Sequence, residues 1–434
     1  MKIAVIGSGV AGLGAAWALE GLHELVLYEA EDRLGGHANT VTIDYDGAAI
    51  DVDTGFIVYN EDNYPNLRGL FGALDVETRR TDMSFACAGG GVEWSSNFPR
   101  GVFAQKRNLL RPDFLGMLND IRRFYAVARS DLLRGDIDNL TLGAWLTLRR
   151  FSGGFRDRFL LPMGAAIWST TEGGIGDFPA ESFLRFLANH GLLQFKPPKW
   201  RSVVGGSRVY VEKIGEALGD SVRTNARVVQ VRRTPAGVIV MDHRGHEDHF
   251  DQVILACHAP EALAMLADAD SEETALLSAI RYAPNRAFLH RDPRLMPSRE
   301  LAWSSWNYVT NSDTKTGPYV TYWMNNLQGI DQSRPLFVSL NGPDPDPGLT
   351  FGVYDYEHPQ FDTAALAAQR RFGRIQGRAG VWYAGAWLGY GFHEDGVTSG
   401  VKAGLALGGK VPWTFVDHRV AAHGHNPPLL AAAA

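Results

Sequence analysis

The sequence has few cysteines, no long apolar run and no excess of positive charge. Cys87 and Cys257 are the two cysteines among 434 residues. They lie far apart, which argues against a disulfide framework and suggests two reduced core side chains. No uncharged apolar run reaches the roughly 18 residues that a bilayer span needs, and Met1 leads directly into a strand pattern without a signal peptide. We therefore expect a cytoplasmic protein.

Two further absences argue against particular partners. The 42 lysines and arginines are outnumbered by 48 acids, and the net charge of −6 argues against nucleic acid as a partner. No cluster of Cys and His has zinc spacing, so we expect no metal site. What the chain does have is 45% hydrophobic residues and 48 glycines, enough to bury two interlocked domains.

The first thirty residues predict a dinucleotide-binding βαβ unit. A buried strand at 2–6 is followed by a glycine turn and a helix, and the next strand ends at Glu29. Gly7 permits the tight turn, Gly9 lets backbone N–H groups approach a pyrophosphate, and Gly12 lets the helix pack on the sheet. The carboxylate of Glu29 lies where ribose hydroxyls donate hydrogen bonds. The predicted cofactor contacts of this unit are Gly7, Gly9, Val10, Ala11, Gly12, Glu29 and Ala30.

The residues after Glu29 favour FAD over NAD. Arg33-Leu34-Gly35-Gly36-His37 follows, and a predicted strand pair at 41–45 and 48–53 leads into Thr54-Gly55-Phe56. These segments resemble those of the flavin-containing amine oxidase and phytoene desaturase superfamily. The resemblance implies that FAD is the cofactor and that His37 replaces the family's second arginine. The contacts that it implies are Arg33, Gly35, Gly36, His37, Thr54, Gly55 and Phe56.

Later segments extend the resemblance to the whole chain. Residues 203–207 resemble the family's strand–Gly-Gly–helix element, with Ser207 as the helix N-cap. Further strands are predicted at 222–224, 227–233, 237–243 and 251–257. The resemblance places Val228, in the second of these strands, at the adenine end of the cofactor.

The last predicted cofactor segment combines a buried strand at 381–385 with a helix that opens at 391–397 and runs to about Leu407. In the family this helix start faces the flavin pyrimidine ring, where a helix N-terminus stabilises negative charge. Ala386 stands where the family has an acid. The predicted contacts are Gly385, Ala386, Gly396 and Val397.

Together these patterns predict a Rossmann-like α/β FAD-binding domain of the amine oxidase type, interleaved with a substrate domain of mixed sheet and helices. The FAD-binding domain is assigned to 1–60, 201–260 and 376–415. The substrate domain is assigned to 61–200, which we expect to be largely helical, and 261–375. Aromatic strands at 303–308 and 319–323 would form sheet core or the wall of an apolar channel. A C-terminal tail is assigned to 416–434.

Residues 100–134 combine eight basic residues with three acidic ones and many apolar side chains. This composition suits an anionic membrane surface on the inner membrane face. A solvated helix pair covering the substrate domain explains it equally well.

A narrower resemblance bears on the substrate. Ile167-Trp168-Ser169-Thr170, Phe178-Pro179-Ala180, Asn189-His190-Gly191-Leu192-Leu193, Trp200-Arg201, Gly205-Gly206-Ser207-Arg208 and Tyr390-Gly391-Phe392-His393-Glu394-Asp395-Gly396 resemble oxidoreductases associated with cyclopropane and methylated fatty acid synthesis. The resemblance implies a fatty acyl lipid substrate and an acyl-modifying methyltransferase as partner.

Dehydrogenation of an acyl chain needs a base near the reacting C–H bond. His393 is the first candidate, since it opens the helix that faces the flavin and a histidine there could titrate near neutral pH. His190 and Tyr59 are weaker candidates. For all three residues a structural role remains the alternative, and Glu394 and Asp395 are expected to hold the loop or the cofactor.

The sequence thus predicts an FAD-dependent desaturase or oxidase of methyl-branched or cyclopropane fatty acyl chains. No second dinucleotide motif appears, so oxygen or a membrane electron acceptor would reoxidise the flavin. The alternatives are an amine oxidase, a redox-neutral flavin-dependent isomerase and a non-enzymatic flavin-bound lipid-binding subunit.

Overall fold

The computed structural model describes residues 1–135, 137, 140–168, 172–194, 198–310 and 317–417. Most of the predicted tail 416–434, from residue 418 onward, and the predicted motif residues Ser169 and Thr170 lie outside these ranges.

The strands of the described residues follow one another along the whole chain. They are β1 (Lys2–Ile6), β2 (Glu24–Tyr28), β3 (Thr40–Tyr45), β4 (Ala48–Asp53), β5 (Tyr59–Asn60), β6 (Thr78–Arg80), β7 (Phe85–Gly89), β8 (Val92–Ser95), β9 (Trp200–Val203), β10 (Val222–Arg223), β11 (Val228–Thr234), β12 (Gly237–Asp242), β13 (Glu247–Phe250), β14 (Gln252–Leu255), β15 (Arg281–His290), β16 (Trp306–Val309), β17 (Tyr319–Trp323), β18 (Phe337–Leu340), β19 (Thr350–Gln360) and β20 (Val381–Tyr383).

Six of the helices of the described residues follow one another between residues 112 and 189, and the others are spread over the rest of the chain. They are α1 (Val10–Leu19), α2 (Pro65–Ala73), α3 (Pro112–Arg134), α4 (Leu142–Leu148), α5 (Gly153–Phe155), α6 (Leu161–Trp168), α7 (Glu172–Gly176), α8 (Ala180–Asn189), α9 (Arg208–Leu218), α10 (Ala259–Met265), α11 (Ser271–Ser278), α12 (Met324–Gln328), α13 (Thr363–Arg371) and α14 (His393–Ala406). None of them is long and apolar enough to cross a membrane.

A five-stranded parallel sheet of order β10-β2-β1-β14-β20 forms the centre of the nucleotide-binding part. Its central strand β1 reads as a continuous apolar run because helices or strands cover both faces, and Ile3, Ala4 and Val5 are fully buried. The predicted strands at 2–6 and 25–28 and the helix after the glycine turn are confirmed.

A seven-stranded mixed sheet of order β19-β15-β18-β17-β16-β7-β8 dominates the other part of the molecule. The predicted aromatic strands lie side by side in it as β16 and β17, and β16 also pairs in parallel with β7. The helices α3 to α8 pack against one end of this sheet around a large aromatic core.

The expectation that 61–200 is largely helical is only partly right. Strands β6, β7 and β8 also lie in this range, and β7 and β8 supply one edge of the seven-stranded sheet. Their apolar runs are so short that periodicity cannot distinguish strand from helix, and the partner β16 of β7 lies about two hundred residues away in the chain.

Candidate FAD site and active site

The glycine turn between β1 and α1 leaves an open space beside the helix N-terminus. A Cβ atom on Gly7, whose φ is +99°, would lie 2.8 Å from the carbonyl oxygen of Ala256, and one on Gly12 would lie 1.8 Å from the Gly7 oxygen. A Cβ on Gly9 would meet nothing within 4 Å. Two of the glycines are therefore required by close backbone approach, while the third borders a space that a pyrophosphate can enter.

Glu29 fixes the glycine turn from the end of β2. Its carboxylate accepts hydrogen bonds from the Ser8 N–H at 3.0 Å, from the Ser8 hydroxyl at 2.5 Å and from the Glu31 N–H at 2.9 Å. A carboxylate has about four acceptor positions, so room remains for a ribose hydroxyl. Ala30 follows as an exposed residue, and Val228 lies nearby because the Ala226 N–H donates to the Glu29 carbonyl.

The predicted double glycine packs directly on the turn. The Gly35 N–H donates to the Ser8 carbonyl at 3.1 Å, and a Cβ on Gly36 would lie 3.2 Å from the Gly9 Cα. The guanidinium of Arg33 donates to the Gly36 carbonyl. The structure thus brings together two segments that are separated by about 25 residues in the sequence.

His37 lies in a group of three histidines. Its ring centroid is 5.5 Å from that of His358 and 6.3 Å from that of His258, which follows β14. Burial, and next the neighbouring histidines, hold the pKa of His37 well below its ordinary value. Its buried Nε2 atom has no hydrogen-bond partner among the described residues.

The residues of this cleft fit FAD. The three histidines and the glycine turn lie at the carboxyl edge of the parallel sheet, which is the edge at which such sheets bind nucleotides. The orphaned Nε2 of His37 and the open space beside Gly9 are the features that an anionic pyrophosphate would satisfy.

Residues 54–56 form the next wall of the cleft. The Phe56 N–H donates to the His37 carbonyl at 2.7 Å, and a Cβ on Gly55 would lie 2.3 Å from the same oxygen. The Thr54 hydroxyl lies 2.7 Å from the hydroxyl of Tyr356 on β19. Gly55 is therefore the residue that lets this segment lie against His37.

The N-termini of α1 and α14 face the same cleft because the two helices pack very closely. A Cβ on Gly396 would lie 2.5 Å from a methyl group of Val10, and one on Gly400 would lie 1.9 Å from the Ala11 oxygen. Val397 is fully buried against Gly14. Two positive helix ends therefore meet where the resemblance places the pyrophosphate and the flavin.

Gly385 and Ala386 connect β20 to α14. The Gly385 N–H donates to the Ser399 hydroxyl at 2.9 Å, which ties the end of β20 to the first turns of α14. Ala386 is half-buried and starts a short 3₁₀ turn.

His393 is enclosed by two aromatic rings. Its ring stacks on Phe56 with centroids 3.6 Å apart, and its Nε2 lies 3.2 Å from the Tyr210 hydroxyl. Burial lowers the pKa of His393 to about 3. The expectation that it titrates near neutral pH is therefore not met in this environment, where burial keeps the imidazole neutral and makes it a weak base.

Phe392 and Tyr390 are site residues that sequence analysis missed. Phe392 stacks on Phe186 of α8 with centroids 5.1 Å apart and lies 5.1 Å from the ring of His190. Tyr390 contacts Phe186 edge to face. His393 thus lies against the nucleotide-binding part, whereas Phe392 packs on the hydrophobic cores of both parts. The available signal was the spacing of Phe186 in α8 and His190 at its C-cap, which are four residues apart.

The two remaining candidate bases have structural contacts. The Nδ1 of His190 lies 3.0 Å from the Phe186 carbonyl, so this residue shares the side of the site that Phe392 faces. Tyr59 packs in the nucleotide-binding core against Phe71, and its hydroxyl donates to Thr78 at 3.3 Å.

The two acidic residues in the first turn of α14, Glu394 and Asp395, accept hydrogen bonds from backbone N–H groups. Glu394 is buried and accepts from Asn66 and Leu67, in the first turn of α2, at 2.9 Å each. Asp395 accepts from the Phe392 N–H at 3.0 Å. Among the described residues, no group of three or more His, Cys, Asp or Glu side chains is arranged to hold a metal ion.

Comparisons with known proteins agree with this geometry. The family model described as flavin containing amine oxidoreductase matches residues 10–317. AofH of Mycobacterium tuberculosis, whose name describes a flavin-containing monoamine oxidase, is 25% identical over 392 residues, covering 86% of this chain and 77% of that protein.

Two solved structures show the same fold at low sequence identity. Putrescine oxidase bound to putrescine superposes with a TM-score of 0.66 at 18% identity, over 94% of this chain and 98% of that one. A fatty acid isomerase from P. acnes that produces CLA gives 0.64 at 15% identity, over 92% and 97%. These likenesses confirm the predicted fold class.

Proposed function

We propose a substrate for this chain, which belongs to the flavin containing amine oxidoreductase family and is an FAD-dependent oxidoreductase. In this proposal it oxidises or desaturates methyl-branched or cyclopropane fatty acyl chains. Bound FAD supplies the acceptor for the hydride of a substrate C–H bond. In this proposal an acyl-modifying methyltransferase supplies the substrate, and oxygen or a membrane electron acceptor takes the electrons.

The residues that would hold FAD follow from the cleft. Glu29 would accept a hydrogen bond from the adenosine ribose, and Val228 would lie beside the adenine. The turn at 9–11 would bind the pyrophosphate through N–H groups at the start of α1. The Gly396 N–H donates to the Phe392 carbonyl within α14, so Gly396 and Val397 would act through the positive end of the helix dipole and not as direct donors to the flavin.

The observation that carries the acyl proposal is the apolar character of the side that Phe392 faces. Phe186, Tyr390 and Phe392 belong to or pack on the same hydrophobic cluster as Trp306 and Tyr322 of the seven-stranded sheet. Glu394 and Asp395, the acids nearest to this wall in sequence, accept hydrogen bonds from backbone N–H groups. Such a wall suits an alkyl chain better than an ammonium group, whose desolvation needs a paired carboxylate.

His393 is the residue that we propose as proton acceptor. It is neutral because burial lowers its pKa, and its Nε2 is held beside the Tyr210 hydroxyl. Desaturation releases one hydride and one proton, and in this proposal the neutral imidazole takes the proton, although burial makes it a weak base. His190 and Tyr59 remain the next candidates.

Amine oxidation is the second candidate function. The similarity to AofH and the likeness to putrescine oxidase favour it. Phe392 and Tyr390 also place two aromatic rings beside the start of α14, where they could contact an amine substrate.

Anaerobic reduction of the bound flavin distinguishes these functions. The holoprotein is mixed with a methyl-branched or cyclopropane acyl chain as free acid, thioester or phospholipid, and separately with putrescine. We expect loss of the oxidised flavin absorbance with an acyl probe and not with putrescine. Bleaching by putrescine alone would establish the amine oxidase, and acyl turnover without an electron acceptor would establish the isomerase. A flavin that no probe reduces, with no turnover, would favour the lipid-binding subunit.

A further inference from the structure

Two segments that are far apart in the sequence carry exposed leucines and are both hydrogen-bonded to Glu93 on the edge strand β8. Leu109 and Leu110 lie in a 3₁₀ turn at Lys106–Leu110 and are 49% and 87% exposed. Leu301, in a second short turn at Glu300–Ala302, is 61% exposed. Exposed aliphatic side chains that are grouped on a surface are typical of an interaction site.

Glu93 on the edge strand β8 joins the two segments. Its carbonyl accepts from the Asn108 side-chain amide at 3.2 Å, and its carboxylate accepts from the Arg299 N–H at 3.0 Å. Both turns are therefore fixed to the same residue, which brings the segments that carry the leucines together at the edge strand β8.

A fourth exposed apolar side chain, Phe98, lies just beyond the end of β8. This side chain is 79% exposed and follows the end of β8, where the Ser95 N–H donates to the Gly101 carbonyl at 3.0 Å. We call Phe98, Leu109, Leu110 and Leu301 the β8 patch. It includes the two most exposed of the large hydrophobic side chains in the described residues.

Basic side chains surround the β8 patch. Arg100, Lys106, Arg107 and Arg299 are exposed in the same segments. The acids of these segments are Glu93, Glu300 and Asp113, and the last is paired with Arg111 and Arg158. The surroundings are thus positive on a chain whose net charge is −6.

We propose that the β8 patch docks the protein on an anionic lipid bilayer. Its apolar side chains would enter the interfacial layer, while the basic side chains around it would contact headgroup phosphates. A second copy of the chain is a poorer occupant, because a two-fold contact would bring the same positive charge opposite itself. The proposal extends the proposed function by naming the source from which an acyl substrate is drawn.

One basic residue of the segment 100–134, Arg123, is held by contacts within the protein. Arg123 contacts Asp120, and its guanidinium donates to the carbonyls of Arg149 and Arg150 at 2.8 Å each. It therefore joins α3 to the chain after α4 and is not a lipid contact.

Co-sedimentation of the holoprotein with vesicles tests the proposal. The vesicles contain phosphatidylcholine with or without about 30% phosphatidylglycerol. We expect Leu110→Ser with Leu301→Ser to lower the partition coefficient on anionic vesicles by about tenfold or more. We expect Arg100→Gln with Lys106→Gln, or about 0.5 M NaCl, to lower it by a similar factor.

Leu133→Ser is the matched control. This leucine is 62% exposed at the far end of α3, and its replacement should leave vesicle binding within about twofold of wild type. Bound flavin and melting temperature show that each variant is folded.

Three results would overturn the proposal. The first is that the wild-type protein does not bind anionic vesicles. The second is that Leu133→Ser loses as much vesicle binding as the patch variants. The third is that the wild-type protein is a dimer and the Leu110→Ser, Leu301→Ser variant is a monomer. Vesicle binding without acyl turnover would support the patch and refute the proposed function. Turnover of a soluble acyl thioester without vesicle binding would do the reverse.

Discussion

At the scale of single residues, the Glu29 carboxylate is assigned two hydrogen-bonding roles. It holds Ser8 in the glycine turn and, in our assignment, the ribose of FAD. Glu29→Ala should weaken FAD binding by about 1–3 kcal/mol, the scale of a lost charge-assisted hydrogen bond. Titration of the apoprotein with FAD, followed by flavin fluorescence, measures this. Glu31→Ala, which removes an exposed carboxylate two residues away, is the control and should bind like wild type. Equal affinity of Glu29→Ala and wild type would remove Glu29 from the ribose site.

His393 offers a second test at this scale. His393→Phe should keep FAD bound, because the glycine turn and Glu29 hold most of the cofactor, and its ring can still stack on Phe56. Reduction of the flavin by substrate should slow by roughly 10²–10⁴-fold, the usual contribution of a positioned base. Anaerobic stopped-flow absorbance gives the rate.

The pKa of about 3 adds a pH criterion for His393. If this value persists during turnover, the reduction rate should not fall as pH is lowered from about 8 to 5, because the imidazole stays neutral across that range. Tyr210→Phe is the matched control, since it removes only the hydroxyl beside Nε2. An undiminished rate in His393→Phe would assign His393 a structural role and direct attention to His190 and Tyr59.

At the scale of elements, the contact between α1 and α14 determines where two helix N-termini point. Gly400→Ala places a methyl group 1.9 Å from the Ala11 oxygen, so the helices must separate. We expect a loss of about 1–3 kcal/mol in the free energy of unfolding, together with weaker FAD binding. Denaturant unfolding and FAD titration measure the two effects.

Gly116→Ala is the control for this substitution. A Cβ at Gly116, inside α3, would meet nothing within 4 Å. Here alanine should stabilise the protein by about 0.5–1 kcal/mol, because it lowers the entropy of the unfolded chain. Wild-type stability and FAD affinity in Gly400→Ala would show that the helix contact tolerates separation.

Elements with a strong local signal were the ones that the sequence predicted well. The strand–glycine turn–helix unit and the helix near 391–407 carry their patterns within a few consecutive residues. Strand β13 was missed because its Glu247-Asp248-His249-Phe250 sequence is charged and lies at a sheet edge.

Side-chain partners were harder to predict than elements. Ser207 precedes α9 as expected, but its side chain makes no capping hydrogen bond, because the hydroxyl donates to Asp53 at 2.7 Å. Phe392 was missed because its partner Phe186 lies about two hundred residues away. Local sequence contains no information on such distant pairs.

At the scale of the whole molecule, Asp53 joins segments assigned to different domains. Its carboxylate accepts from Thr40, from the N–H and hydroxyl of Ser207, and from the side-chain amide of Gln328 on α12. Gln328 lies in the predicted substrate domain, whereas the other partners lie in the predicted FAD-binding domain. Burial raises the pKa of Asp53 to about 6, although these hydrogen bonds oppose the shift.

This raised pKa makes the stability of the whole fold depend on pH. Because the native state binds the proton more tightly than the unfolded chain, the contribution of Asp53 is complete below about pH 4 and is lost as pH rises through about 6. A shift of about two units corresponds to roughly 3 kcal/mol. Asp53→Asn cannot titrate, so the difference in unfolding free energy between wild type and this variant should move by up to that amount between about pH 4 and 7. Denaturant unfolding at each pH measures it, with the exposed Asp32→Asn as control. A difference that stays constant over this range would mean that Asp53 remains ionised in the fold, and that its four hydrogen bonds outweigh the cost of burying its charge.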